Sequence, residues 1–462
     1  MRYYSGYFVL YVELKLIERD IIKELEKWKK NDNRKPLILR GARQVGKTTA
    51  VDIFSKQFEQ YIYLNLDKNE DKKIFEKDIP FKDLVDSIFF MKNKHKKAKT
   101  LIFIDEIQNS SKAISLLRYF YEDVPEYFVI AAGSLLETIM DNKINFPVGR
   151  CEYKLLRPLS FQEYLNGIGE YKALGLIDTI PIPEYAHDKL LKLFNRYSLI
   201  GGMPEVISRY IETDDLKEVE SVYESLIVSY LDDVEKYTKT NNMAYVIRHC
   251  IKNSFKEAGT RIKFEKFGES SYKSKEVGES LRILEKALLV NLVYPTTEIS
   301  IPITPNTRRS PRLYFLDTGL VNYFSGIMGS LLTIEDLNSQ YNGRIAEHIV
   351  GQEILSNSYS PLKSLNFWTR EKKQSNAEVD YIIQHKNLII PIEVKSGKSG
   401  TLRSLHQFIN IAPHNFAVRL YAGNFLIEKN KTPEGKEYTL LSAPYYLASN
   451  IERYIEYYFK EE

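Results

Sequence analysis

Residues 41–48 read Gly41-Ala42-Arg43-Gln44-Val45-Gly46-Lys47-Thr48, and no other stretch limits the fold as tightly. The spacing G-x-x-x-x-G-K-[ST] turns successive backbone N–H groups toward one phosphate. It works only between a strand and a helix N-terminus, where the helix dipole adds positive potential. Both flanks comply: Leu37-Ile38-Leu39 reads as a short buried strand, and Thr49 to Phe58 reads as a helix with Val51, Ile53 and Phe54 apolar. Gly41 and Gly46 let the backbone approach a phosphate closely. Lys47 is expected to reach the β- and γ-phosphates and Thr48 to ligate Mg²⁺. Ala42, Arg43, Gln44, Val45 and Thr49 complete the expected nucleotide contacts, so ATP and Mg²⁺ are the expected cofactors.

Four later elements fit this loop. Leu101-Ile102-Phe103-Ile104-Asp105-Glu106 is an apolar run ending in two carboxylates. In a P-loop ATPase the first, Asp105, holds Mg²⁺ directly or through water, and the second, Glu106, polarises the attacking water. Tyr127 to Ser134 is a further buried strand with a polar end. Ser134 is expected either to sense the γ-phosphate or to cap a following helix, and the two roles are compatible. Arg150, in preference to Arg157, is the expected charge-stabilising finger, in its own subunit or a neighbour's; a surface ion pair is the alternative. Gly201-Gly202-Met203-Pro204-Glu205 stops one helix and starts another, as a plain turn or as a nucleotide-sensing one.

GARQVGKTT, LIFIDEIQ, AAGS, PVGR, RPLSFQEYL and GGMPE, in this order, resemble a large prokaryotic group of AAA-type ATP-binding proteins carrying a C-terminal domain of unknown function. The resemblance runs from about Arg19 to about Ala422. It implies an α/β chain: a P-loop core over residues 1–160, a helical lid over 161–225, a third domain over 226–325 and a last one over 326–462. It implies ATP binding and leaves the biological role open.

The third domain reads as helix, helix, helix and hairpin, the order of a winged helix. The expected helices lie near Ala244–Phe255, from Lys263 to Phe267, and over Lys275–Leu289. Val290–Tyr294 and Leu313–Phe315 are the expected strands. Lys263, Lys266, Lys273, Lys275 and Arg282, with Arg308, Arg309 and Arg312 on the wing, would face DNA. With Glu265, Glu269 and Glu276 interleaved, they would otherwise form an ordinary solvated face.

Near the other end, Glu378–Ile383 and Leu388–Lys395 read as a hairpin around His385-Lys386-Asn387. Strand alternation puts Glu393 and Lys395 on one face, and pairing across the hairpin brings Asp380 toward them. An upstream helix, Arg344–Leu355, offers Glu347. Two carboxylates and a lysine can bind Mg²⁺ and stabilise charge at a phosphate. The pattern resembles PD-(D/E)XK nucleases, with Asp380, Glu393 and Glu347 as metal ligands and Lys395 catalytic. The alternative is a strand with exposed charges, in a domain that binds without cleaving. Phe367-Trp368-Thr369-Arg370 with Lys372 and Lys373 would contact a nucleic-acid backbone or bases, or form an ordinary strand and loop. Gln407, on the following helix, is a supporting residue.

The whole of the 462-residue chain sets few further bounds: 65 Lys and Arg against 61 Asp and Glu leave +4, so only local basic surface matters. The two cysteines, Cys151 and Cys250, are too few for a disulfide scaffold or zinc cluster, which points to a reducing cytoplasm. The apolar run Tyr7–Val12 is too short for a spanning helix or a secretory signal, so no membrane partner is expected. The expected partners are nucleic acid, DNA first, and another protein or further copies of this chain.

Overall fold

A computed structural model describes residues 17–134, 149–238, 240–328, 343–370, 377–395, 397 and 401–459. The run Tyr7–Val12, Phe146 to Val148, Lys372 and Lys373 lie outside them.

The N-terminal sheet contains β1 (Leu37–Arg40), β2 (Gln60–Asn65), β3 (Thr100–Asp105), β4 (Phe128–Gly133) and β5 (Glu152–Leu155), all parallel, in the order β2-β3-β4-β1-β5. Helices cover both faces, so the central strands β1, β3 and β4 are near-continuous apolar runs rather than alternating, while the edge strands β2 and β5 carry polar residues. Leu37, Leu39, Leu101 and Phe103 enter one core, while Ile38, Ile62, Ile102 and Val129 enter the other. β4 separates β1 from β3. The loops after β1, β3 and β4 therefore meet at one sheet edge, where open α/β sheets bind their ligands.

The middle region has a long helix (Asn241–Glu257), a second helix (Ser274–Lys286) and the strands β6 (Thr260–Arg261), β7 (Val290–Val293), β8 (Pro295–Thr296) and β9 (Arg312–Phe315). β6, β9 and β7 form an antiparallel sheet, with Val290 opposite Phe315. The helix expected from Lys263 to Phe267 does not form. Lys266, Gly268 and Glu269 have φ of 56°, 60° and 59°, which no right-handed helix accommodates, and only a short 3₁₀ turn at Phe267–Glu269 remains.

The C-terminal region contains β10 (Phe367–Thr369), β11 (Glu378–Val379), β12 (Tyr381–His385), β13 (Leu388–Val394), β14 (Phe416–Tyr421), β15 (Leu426–Lys431) and β16 (Glu437–Pro444). Its main sheet runs β12-β13-β14-β16-β15, with β13, β14 and β16 parallel. β8, which lies between the two expected wing strands, pairs with β10 and so ties that connection to the C-terminal region. Phe367 and Trp368 are buried in that strand, which removes them as a base-stacking platform. The larger apolar core runs without interruption from Ile17 through Phe255 and Leu313 to Phe459. Cys151 and Cys250 are both buried free thiols.

Candidate functional site

At the phosphate loop, Gly46 takes φ 90° and caps the helix Lys47–Ser55 from the left-handed region. A side chain at Gly41 would meet the Leu156 carbonyl oxygen at 2.6 Å, so only glycine fits there. Lys47 Nζ donates to the Gly41 and Ala42 carbonyl oxygens, each at 2.9 Å. Burial pushes its pKa down to about 8, against the pull of Glu106 and Asp105. An ammonium held on the loop's own carbonyls is a cation awaiting an anion, which fits a triphosphate.

Thr48 Oγ1 donates to Asp105 Oδ2 at 2.8 Å, and the Tyr63 hydroxyl donates to the same oxygen at 3.3 Å. A hydroxyl and a carboxylate in contact at the loop are the oxygen donors a hard divalent cation takes, so these residues fit Mg²⁺. Glu106 sits at φ 50° immediately after β3, and burial raises its pKa. Gln108 Nε2 donates to it. Ser134 follows β4, whose last residue, Gly133, lies opposite Arg40 at the mouth of the loop.

Arg150 is elsewhere. β5 runs parallel to β1 with Glu152 opposite Leu37, so Arg150 lies at the edge of the sheet away from the loop. There its Nε donates to Glu122 Oε1 at 2.7 Å, and the side chain is half exposed. It does not reach its own subunit's phosphate loop.

The loop is held by residues from far along the chain. Buried Arg19 donates to the Val45 carbonyl oxygen (2.7 Å), to the Arg157 carbonyl oxygen (2.7 Å) and to Glu163 Oε1 (3.0 Å). Glu163 belongs to the capping box that Ser160 opens on the helix Phe161–Gly167, which is the local reason for the sequence SFQE. Arg43 pairs with Asp233, and the Tyr230 hydroxyl donates to the Arg43 carbonyl oxygen at 3.3 Å. A side chain at Gly46 would come within 3.6 Å of Pro204, so the Gly-Gly-Met-Pro turn abuts the loop.

That turn leads into a buried polar network. Gly202 N–H donates to Asp317 Oδ2 at 2.6 Å, and the Leu159 N–H donates to the Gly202 carbonyl oxygen at 2.7 Å. A side chain at Gly202 would collide with the Leu159 carbonyl, so glycine is obligatory there. Asp317 also caps the helix Thr318–Phe324 by accepting from the Gly319 and Leu320 N–H groups. Gln352 Nε2 donates to Asp317 Oδ2 at 3.3 Å. Its neighbour Glu353 accepts from the Phe161 N–H (3.1 Å) and lies 2.8 Å from the Tyr197 hydroxyl. Burial raises Asp317 to about 6 and Glu353 to about 7. Both Gln352 and Glu353 lie on the helix Gly343–Ser356.

The other end of that helix carries Glu347. Its carboxylate, with those of Glu378 and Asp380, surrounds the buried Arg312 guanidinium at 2.9, 3.0 and 3.3 Å. Asp380 Oδ2 accepts from the Val394 N–H at 2.8 Å, and Lys395 Nζ pairs with Glu393 Oε1 at 2.6 Å. Glu393 Oε2 is buried with no hydrogen-bond partner among the described residues. Burial raises the pKa of Glu347, Asp380 and Glu393. The hairpin therefore brings together the residues expected of it, including Glu347. Arg312, however, is not on a DNA-facing wing: it fills the acidic cluster as its counter-ion. Among the described residues no group of three His, Cys, Asp or Glu side chains is placed to hold a metal ion. The expected Mg²⁺ centre of Asp380, Glu393 and Glu347 does not fit this arrangement. Gln407 accepts from Arg370 at 2.9 Å.

The sequence does not single out Arg19, Asp233, Glu353, Glu378 or the role of Arg312, and it marks Asp317 only through the resemblance, with no role attached. Only the S-x-x-E capping signal at Ser160 and the apolar strand carrying Arg312 hint that buried charge lies nearby.

These features are those of a P-loop nucleotide-binding domain. Residues 33–165 match the family model described as AAA domain. Residues 191–331 and 342–445 match two domains of unknown function, DUF8612 and DUF4143. An uncharacterized protein of Methanocaldococcus jannaschii, MJ1637, is 23% identical over 85% of this chain and 82% of its own length. Among solved structures, the Walker-type ATPase PABY2304 of Pyrococcus abyssi is 14% identical with a TM-score of 0.44, covering 67% of this chain and 96% of that one. The Aeropyrum pernix ORC1 protein in complex with DNA is 11% identical with a TM-score of 0.32, covering 69% and 95%. No helix among the described residues is long and apolar enough to cross a membrane.

Proposed function

We propose that this chain is an ATP-driven switch whose nucleotide state sets the position of the C-terminal acidic cluster. ATP binds at Gly41–Thr48 and Thr49, with Lys47 released from the Gly41 and Ala42 carbonyls to the phosphates. Thr48 and Asp105 would hold Mg²⁺, which when bound neutralises phosphate charge. Glu106, with its raised proton affinity, takes a proton from the attacking water, and Ser134 reads the γ-phosphate.

The observation that carries this reading is one helix with two duties. Gly343–Ser356 bears Glu347 in the acidic cluster and Gln352 and Glu353 in the network behind Gly202. Glu347 and Glu353 lie about 9 Å apart along the axis. Any shift of the Gly-Gly-Met-Pro turn against the phosphate loop therefore displaces a helix that also shapes the cluster.

Arg312 favours a cluster that binds or regulates over one that cuts. Exposed Lys263, Lys266, Lys273 and Lys275 leave nucleic acid as a partner for the middle region.

Hydrogen exchange of the full chain, with and without an ATP analogue and Mg²⁺, tests the switch. Protection of residues 343–356 should change on binding, and the change should vanish in Lys47→Ala. A helix indifferent to bound nucleotide refutes coupling. Metal-dependent nuclease activity lost in Lys395→Ala would restore the cutting alternative.

A further inference from the structure

A cavity of about 490 Å³ lies where the three regions meet, and no family description assigns it. Its wall runs from Arg40 and Ala42 at the back of the phosphate loop, through Tyr314–Leu316, to His348 and Gln352 of the helix Gly343–Ser356. None of Val45–Thr48 lines it, so it is separate from the phosphate cradle.

Its charge is lopsided. Arg40, Arg157, Arg282, Lys286 and Lys363 face it against one carboxylate, Glu285. Lys363 is partly answered by Glu452 at 2.6 Å, and Glu285 accepts from the Leu292 N–H at 2.8 Å. Arg157 has no carboxylate partner among the described residues: its guanidinium donates to the Ser358 carbonyl oxygen. Burial lowers its pKa to about 10, the sign of a cation short of counter-charge. A largely buried, unpaired guanidinium is costly unless an anion joins it. His348 adds an unsatisfied polar atom to the wall. It is buried, its Nε2 is engaged with the Phe315 backbone at 3.0 Å, and its Nδ1 has no partner among the described residues. The rest of the wall is mainly apolar, and the volume suits a mononucleotide-sized ligand.

We infer that this cavity is an effector site for a small organic anion, with an acidic group on Arg157 and Lys286 and an apolar body against Tyr314 and Leu355. Bound there, such a ligand touches both the back of the phosphate loop and the helix behind the acidic cluster.

The probe is 8-anilinonaphthalene-1-sulfonate, a sulfonate on an apolar body, titrated by fluorescence into the full chain. One molecule per chain should bind. Arg157→Met and Lys286→Glu should each weaken binding at least 10-fold, while Lys99→Glu, on a distant surface, should not. Lys286→Glu keeps the test open if Arg157→Met fails to fold. Binding should persist in Lys47→Ala and in saturating ADP. Displacement by ADP would overturn the inference by making the cavity part of the nucleotide site. Binding at several sites, or equal binding in the cavity variants, would overturn it as adventitious.

Discussion

Glu353→Gln tests the buried network most sharply, because it changes a charge and almost no volume. Glu353 is fully buried, and burial raises its carboxyl from the ordinary 4.5 to about 7. Between those values the folded protein binds a proton that the unfolded chain has lost, so stability falls as pH rises. The favourable contribution is complete below about pH 4.5 and gone above about pH 7. Raising the carboxyl from 4.5 to about 7, at 1.36 kcal/mol for each tenfold change in proton affinity, amounts to about 3 kcal/mol. Glutamine keeps an acceptor for the Phe161 N–H and the Tyr197 hydroxyl and cannot ionise. The variant should therefore stay within about 1 kcal/mol of the wild type near pH 5 and exceed it by up to about 3 kcal/mol at pH 8. Urea denaturation across pH 5–8 reads the difference, and comparing variant with wild type cancels the other titrating groups. Parallel pH profiles for the two proteins would refute the claim that burial raises the Glu353 carboxyl.

Three further outcomes are expected. Arg312→Met strips the counter-ion from Glu347, Glu378 and Asp380 and should cost about 3–5 kcal/mol, with Mn²⁺ recovering part of it in thermal melts; unchanged stability would show that Arg312 does not hold the cluster. Gly202→Ala drives a methyl into the Leu159 carbonyl and should cost about 1–3 kcal/mol in urea denaturation, while abolishing the exchange response of residues 343–356 to nucleotide. Arg19→Met removes the donor to Val45 and should weaken ATP-analogue binding by calorimetry about 10-fold, the worth of one charge-assisted hydrogen bond, with Glu163 left uncompensated.

Much of the nucleotide site is legible in the amino-acid sequence. The strand, loop and helix around Gly41–Thr48, the acidic end of β3 and the polar end of β4 are each written in a short run of consecutive residues. Backbone geometry and strand polarity suffice to read them. The hairpin bearing Asp380, Glu393 and Lys395 is legible for the same reason, since its register follows from a short turn.

What the sequence does not disclose is which distant groups neutralise one another. Arg19 meets Glu163 across 144 positions, Gly202 meets Asp317 across 115, and Arg312 meets Asp380 across 68. Arginine on an apolar strand reads equally as a DNA contact or a buried counter-ion, and Arg150 after a strand reads equally as a finger or a surface pair. Local propensity is blind to the choice, because the cost of burying a charge depends on what the rest of the fold brings beside it. The sequence alone determined that the chain carries a phosphate loop and a carboxylate hairpin. Only tertiary packing decided that one helix reaches both the acidic cluster and the network behind the Gly202 turn, and that an arginine fills that cluster.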